Sequence, residues 1–308
     1  MSERHNRYFD LSHFSLIAVS GEDAKAFLQN QITANLEKLD SHGWVLAAWC
    51  LPNGRIISNF ILFHHCDRYL LVLPSMLKDK VIKRLGMFVL RSKVQINDAD
   101  DDHALIGLQG MSIEDVLNDG NLVSGHKRLI RSDAIAIVNF NDRVPRVMLV
   151  MSMDELDSRM QRILMACAEG NRNGWSLLDI ESGIPWITDS TSEKFLPQML
   201  NLDLMHGLSF DKGCYPGQEV IARLHYKGEV KRRLYIGSGS GDVTPGPGDE
   251  LENADDGHKI GALIDAEPAP EGGFRFLAVA DVKLDAAAEP QIRGSDSRIT
   301  DMRSLAGD

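Results

Sequence analysis

The densest run of reactive residue types is Phe210-Asp211-Lys212-Gly213-Cys214-Tyr215-Pro216-Gly217-Gln218-Glu219. Pro216-Gly217 suits the two central positions of a type II turn, where the second residue takes a positive φ. Gly213 lets backbone approach a ligand closely. Gln218–Leu224 has the pattern to start a helix straight after the turn. A thiol at Cys214, just before a helix N-terminus and close to Lys212, would have its thiolate favoured. The same run also fits Cys214 as a small buried hydrophobe in a tight turn. Against that, Lys212, Gln218 and Glu219 crowd the turn, and buried polar groups need partners.

A second segment runs from Trp175 to Pro185 and places Glu181 among apolar residues, before a glycine. A carboxylate can take adjacent ring N–H and amino donors on its two oxygens, the pattern of a pterin or guanidine-like edge. Trp175 offers a flat face to a ring. A core tryptophan and a capping or salt-bridged glutamate would produce the same pattern. The third feature is the basic group Arg223, Lys227, Lys231, Arg232 and Arg233, in a chain of formal charge -11. It could meet an anionic tail, an acidic partner or a phosphate, or lie as a solvated strand edge.

The overall acidity argues against holding nucleic acid by phosphate neutralisation, so no direct stable nucleic-acid binding is expected. No P-loop, dinucleotide fingerprint, Gly-x-Ser-x-Gly elbow or His-Glu-x-x-His motif occurs in the sequence. His64-His65-Cys66 suggests a metal triplet, but neighbours on a strand point to opposite faces, and no metal site is expected. The polar start, Met1 to Arg7, lacks an apolar leader core, and the apolar runs are too short to span a bilayer. Cys50, Cys66, Cys167 and Cys214 form no CxxC pair. These features predict free thiols and a cytoplasmic protein without membrane attachment.

The elements that must position these residues are legible as patterns. Ser15–Val19 reads as a strand. A helix follows from a Ser20/Asp23 capping box, with Ala24, Phe27, Leu28, Ile32 and Leu36 on one face. Trp44–Trp49 and Arg55–Phe63 read as a hairpin around Pro52-Asn53-Gly54. Tyr69–Leu73 is a further strand, before a helix with Leu77, Val81, Leu85 and Phe88 on one face. Lys93–Ile96 follows as a strand, and the acidic run 98–102 as a solvated loop or boundary. Arg146–Met151 leads through a Ser152/Glu155 capping box into a helix faced by Leu156, Met160, Ile163, Leu164 and Cys167. Trp175–Ser182 is a strand or a short helix. Beyond Tyr235, short apolar stretches between Gly/Pro breaks suggest a small all-β module, with a fraying tail after Arg293.

Lys212-Gly213-Cys214-Tyr215-Pro216-Gly217-Gln218-Glu219 resembles the signature octapeptide of the YgfZ family, which is related to the aminomethyltransferase (T-protein) of glycine cleavage. The likeness extends to Phe195-Leu196-Pro197-Gln198, to Val220-Ile221-Ala222-Arg223, to the first helix around Val19–Gln31 and to the hairpin around Gly54-Arg55. It implies an α+β, three-lobed T-protein-like fold: two α+β lobes plus a small C-terminal antiparallel β-barrel. The corresponding boundaries are 1–50 and 98–225 for the folate-binding α+β lobes, 51–97 for an inserted α+β lobe, and 226–308 for the barrel. It further implies tetrahydrofolate or another reduced folate as bound ligand, and a role in making or repairing iron–sulfur enzymes, including tRNA-modifying ones. Iron–sulfur enzymes or assembly proteins are then the expected partners.

Residue by residue, the resemblance places Trp175, Glu181 and Phe14 at folate-contacting positions, Phe14 where a relative has tryptophan. Arg223 falls near the folate's anionic end, and Cys214 with Lys212 forms a functional thiol. T-proteins carry an Asp-Asp pair after the hairpin turn, and here those positions read Ser58 and Asn59. Neither side chain ionises near neutral pH, so general acid–base help at the folate is not expected. A binding protein is therefore expected rather than an enzyme. A one-carbon (aminomethyl) transferase using another residue, and an assembly factor without a small ligand, are the alternatives.

Overall fold

Two open sheets and a closed barrel form the strand framework of the computed structural model. The structure describes residues 6–117, 129–132, 134–140, 144–282 and 289–306. In order, β1 (Arg7–Asp10) and β2 (Phe14–Ser20) precede α1 (Ala24–Gln29), the short α2 (Leu39–His42), β3 (Trp44–Cys50), β4 (Ile56–His65) and β5 (Arg68–Pro74). Then come α3 (Lys78–Gly86), β6 (Gln95–Asp98), β7 (His103–Gln109), α4 (Ile113–Leu117), β8 (Leu129–Arg131), β9 (Ile135–Asn139) and β10 (Arg146–Ser152). α5 (Met153–Ala166), β11 (Ala168–Glu169), α6 (Arg172–Glu181) and α7 (Gln218–Lys227) lead into the barrel strands. Those are β12 (Arg232–Ser240), β13 (Glu250–Asn253), β14 (Lys259–Pro268), β15 (Phe274–Asp281), β16 (Pro290–Ile292) and β17 (Arg298–Ser304).

The chain divides into two units: Met1–Leu28, Leu36–Val45 and Phe60–Trp175 in the first, Gln29–Asn35, Leu46–Asn59 and Ser176–Asp308 in the second. The first unit contains a six-stranded sheet in the order β11-β1-β7-β10-β9-β8. Side chains alternate across it. Ile106, Leu108, Val147, Leu149, Met151, Ile135 and Ile137 share one face, packed with Ile163 of α5 and Cys167. Phe9, Gly107 and Met148, in register across three strands, point the other way. The other open sheet runs β3-β4-β5-β2-β6. Four of its strands, β2 to β5, are buried almost end to end, which is why they read as apolar runs, while the edge strand β6 is largely exposed.

The barrel closes in the order β12-β15-β14-β13-β16-β17 around Leu251, Leu263, Phe274, Phe276 and Ile292. Here the expected fraying tail is corrected. β17 pairs with β12 from Tyr235↔Ser304 to Ser240↔Arg298 and completes the ring. Its apolar signal is weak because only Ile299 and Met302 pack inward. Backbone pairing, which removes two open edges, holds the rest.

Three other local expectations also change. The first helix stops at Gln29, and Ile32 instead bridges to Trp49. The acidic run is anchored, because Asp100 accepts the Leu16 N–H at 2.6 Å and pairs with Lys78 at 2.7 Å. Ser152 makes no side-chain cap; Glu155 turns along the helix to Arg159, 3.1 Å away. Trp175–Ser182 resolves as helix: α6 reaches Glu181. Among the described residues no helix is long and apolar enough to cross a membrane.

Candidate functional site

In the second unit the signature turn forms as its residues dictate. Gly217 has φ 82°, and the Gln218 N–H reaches the Tyr215 carbonyl at 3.1 Å. α7 starts at once, with Glu219 in its first turn, where a negative charge meets the helix dipole favourably. The turn packs on the tip of the β3–β4 hairpin. A Cβ added at Gly217 would lie 2.6 Å from Gly54 Cα and 2.6 Å from the Leu51 carbonyl oxygen. Gly54 in turn leaves room for Leu196, Ile221 and Val220. Gln198 Nε2 donates to the Ile221 carbonyl at 2.8 Å, so the segment before the signature is tied to α7.

Lys212 turns inward. Its Nζ donates to the carbonyls of Ile32 (2.7 Å) and Ala34 (2.8 Å) and stands 5.0 Å from the Tyr215 ring centre. Burial pushes the ammonium down, to about 7. The two carbonyl acceptors favour its charged form and oppose that shift. Tyr215 is buried and its phenol is pushed up by burial. Cys214 and Gly213 are exposed, and a Cβ at Gly213 would touch nothing within 4 Å. The Cys214 thiol therefore sits on an open loop whose flanks are fixed. Gln218 Nε2 closes that loop onto the Lys212 carbonyl at 3.3 Å. Arg223 is exposed on α7.

Sequence reasoning missed the hub beneath this loop. Thr33, fully buried, donates through Oγ1 to the Gly207 carbonyl (2.6 Å) and accepts the Ala48 N–H (2.9 Å). Its backbone adds Thr33 N–H to the Ala48 carbonyl (2.8 Å) and Ser209 N–H to its own carbonyl (3.0 Å). Thr33→Val keeps the shape and strands two buried groups. It should lower stability by about 2 kcal/mol, read as a shifted urea midpoint at unchanged slope.

Ser58 and Asn59, the positions read as departing from the T-protein carboxylates, are fully buried. Asn59 is a strut: its Nδ2 donates to the Pro185 carbonyl at 2.7 Å and its Oδ1 accepts the Ile187 N–H at 2.8 Å. Ser58 Oγ reaches the Asn59 carbonyl at 3.3 Å.

In the first unit, Trp175 is fully buried against the sheet face that carries Gly107. A Cβ at Gly107 would lie 2.5 Å from two carbons of the indole. Phe9 and Phe140 flank the ring at 5.5 and 5.9 Å. Arg146, also fully buried, places its guanidinium 4.3 Å from the Phe140 centroid and 4.7 Å from that of Trp175. A desolvated cation over an indole contributes about 2 kcal/mol. Trp44 joins this cluster, 5.4 Å from Phe140, and donates its own indole N–H to the Asn139 carbonyl at 3.0 Å. The Trp175 N–H is buried without a hydrogen-bond partner among the described residues. Arg146 gave no sign in the sequence beyond being a lone cation at the head of an apolar strand.

Phe14 lies elsewhere in that unit. It is buried at the start of β2 and borders a cavity with Tyr8 and Asp10, on the α5 side of β1. Trp175 packs on Phe9, which alternates to the other side. Glu181 ends α6 as an exposed residue. Six positions beyond Trp175, it points about 120° away around the helix. The buried carboxylate of that segment is Asp179, which accepts the Trp186 indole N–H at 2.8 Å. Among the described residues no cluster of three or more His, Cys, Asp or Glu side chains could hold a metal ion.

Comparison with known proteins agrees with these features. The GCVT N-terminal domain family matches residues 3–126. The tRNA-modifying protein YgfZ of Pectobacterium atrosepticum is 30% identical over 295 residues, covering 94% of this chain and 88% of that protein. The tRNA-modifying protein YgfZ of Buchnera aphidicola subsp. Schizaphis graminum is 34% identical over 258 residues, covering 82% and 81%. Among solved structures, glycine cleavage system aminomethyltransferase T from Bartonella henselae matches with a TM-score of 0.76 at 17% identity, over 97% of this chain and 85% of that one, a likeness of fold. With relatives at this identity over most of both lengths, and with the Lys212–Glu219 signature in place, the chain belongs to the YgfZ family.

Proposed function

We propose that this protein binds tetrahydrofolate or another reduced folate, and that the bound state supports the synthesis or repair of iron–sulfur enzymes, among them enzymes that modify tRNA. The observation that carries the folate reading is the Trp175 indole N–H, buried and lacking an acceptor among the described residues. A buried donor without a partner costs about 1–3 kcal/mol, and a ligand acceptor would recover it. Pterin ring nitrogens and carbonyl are such acceptors. Glu181 is exposed and carries no hydrogen bond or ion pair to a described residue, which leaves both oxygens for a pterin edge. Arg223, exposed on α7, suits the anionic end of a folate. Each of these three residues, taken by itself, offers a group that a reduced folate can use.

The reading is of a binder rather than a transferase. Asn59 spends its amide on the backbone of Pro185 and Ile187, so it supplies no acid or base. Cys214 is the chemical group presented to partners, which are iron–sulfur enzymes or their assembly proteins in a reducing cytoplasm. The name of the relatives, tRNA-modifying protein, supports the link to tRNA.

The test is anaerobic titration of tetrahydrofolate followed by tryptophan fluorescence and calorimetry. Trp175→Phe keeps a ring in the cluster and removes the donor. Its affinity should fall about tenfold, the equivalent of one hydrogen bond. Equal affinity in that variant would remove Trp175 from the site, and no binding by the unmodified protein would end the folate reading.

A further inference from the structure

A cavity of about 580 Å³ opens in the first unit on the α5 side of β1, away from the face that Trp175 covers. Its volume lies in the usual range for small-molecule sites. Phe14, Leu156, Met160 and Met153 form an apolar floor. The floor stays open because α5 buries only Ile163 fully, so its N-terminal half leaves Leu156 and Met160 half-covered. Asp10 and Glu169 stand at the rim, both exposed.

The charge balance of this lining is one-sided. Among the described residues no Lys or Arg borders the cavity. Asp100 also borders it and shares the ammonium of Lys78 with Asp98. His103 sits with Nδ1 at 3.1 Å from the Ala99 carbonyl and Nε2 at 3.3 Å from Arg68 Nη2. The first contact requires an N–H and the second a lone pair, so the ring is neutral. Asp10 accepts only the Ser12 N–H at 2.9 Å and its hydroxyl at 3.3 Å, and Glu169 meets the Tyr8 phenol. Neither carboxylate has a cation among the described residues.

We propose that this cavity binds a small organic ammonium ion with a flat apolar body. The ammonium lies between Asp10 and Glu169, and the body covers Phe14 and the two methionines, whose flexible thioethers adapt to a ring. An anion is excluded by the two unpaired carboxylates. A bare divalent cation finds too few oxygens beside so much apolar surface. This site is independent of the folate reading, since the Trp175 indole lies across the sheet from it.

The probe is tryptamine, titrated calorimetrically into the full chain at pH 7 and low salt, with indole-3-propionate as the anionic counterpart of similar ring and length. Tryptamine should bind and indole-3-propionate should not. The double variant Asp10→Asn/Glu169→Gln, both at exposed positions, should keep the thermal midpoint and lose at least tenfold in affinity. Leu156→Trp should fill the floor and abolish binding. Saturating tetrahydrofolate should leave tryptamine affinity unchanged. Absence of tryptamine binding, equal binding of both probes, an unaffected double variant, or displacement by the folate would each overturn the proposal.

Discussion

An Asn59→Asp variant is expected to lose about 3–5 kcal/mol of stability at neutral pH, although it restores a carboxylate where the T-protein resemblance has one. Asn59 is fully buried and uses both ends of its amide. Aspartate keeps an acceptor for the Ile187 N–H but sets a second oxygen against the Pro185 carbonyl, 2.7 Å from the present donor. Ionised, it is an unpaired buried charge, with a penalty of that size. Protonated, it can donate to Pro185 and act nearly as asparagine does. Its folded pKa is therefore raised above the unfolded value of about 3.9. In the window between those values the folded state binds more protons, so stability falls as pH rises through it and stays low above it. Urea midpoints of variant and parent should nearly coincide near pH 4 and separate widely at pH 7.5. A separation independent of pH would contradict the strut assignment.

The second large effect concerns Gly217→Ala. At φ 82° an L side chain is strained by about 1–2 kcal/mol. The added Cβ would also meet backbone, Gly54 Cα and the Leu51 oxygen at 2.6 Å and Gly54 N at 2.8 Å, where no flexible side chain can yield. Overpacking of that kind adds about 1–3 kcal/mol, for a total near 3 kcal/mol. Gly213→Ala, in the same octapeptide, faces open space and should stay within about 0.5 kcal/mol of the parent. Chemical denaturation of the pair is decisive. Equal losses at the two glycines would show that the hairpin tip does not clamp the turn.

These contrasts show what the sequence made legible. The Tyr215–Gln218 turn and α7 are local products of Pro-Gly and helical spacing, and both formed as read. The barrel strands with alternating apolar residues were also readable. β17 was not, because its pairing rests on backbone groups that every residue carries. Thr33 was invisible for the same reason: its partners, Ala48 and Gly207, lie far along the chain, and its hydroxyl looks like any other. Apolar spacing from Ala24 to Leu36 predicted one long helix, but Ile32 is buried by bridging Trp49 instead. Burial fixes the period of a pattern only while one element persists. Trp175 and Glu181 were read together as ring-face and edge contacts. α6 separates them around its circumference, and Arg146, Phe9 and Gly107 define the surroundings of the indole.

The ammonium of Lys212 is gripped by carbonyls some 180 residues upstream. A ribosome therefore finishes that strip of backbone long before it makes the residue that will latch onto it. An excised peptide spanning the octapeptide would carry the correct letters but lack the surface that shapes them. Antibodies or inhibitors raised against such a peptide would learn a conformation that the whole protein does not present.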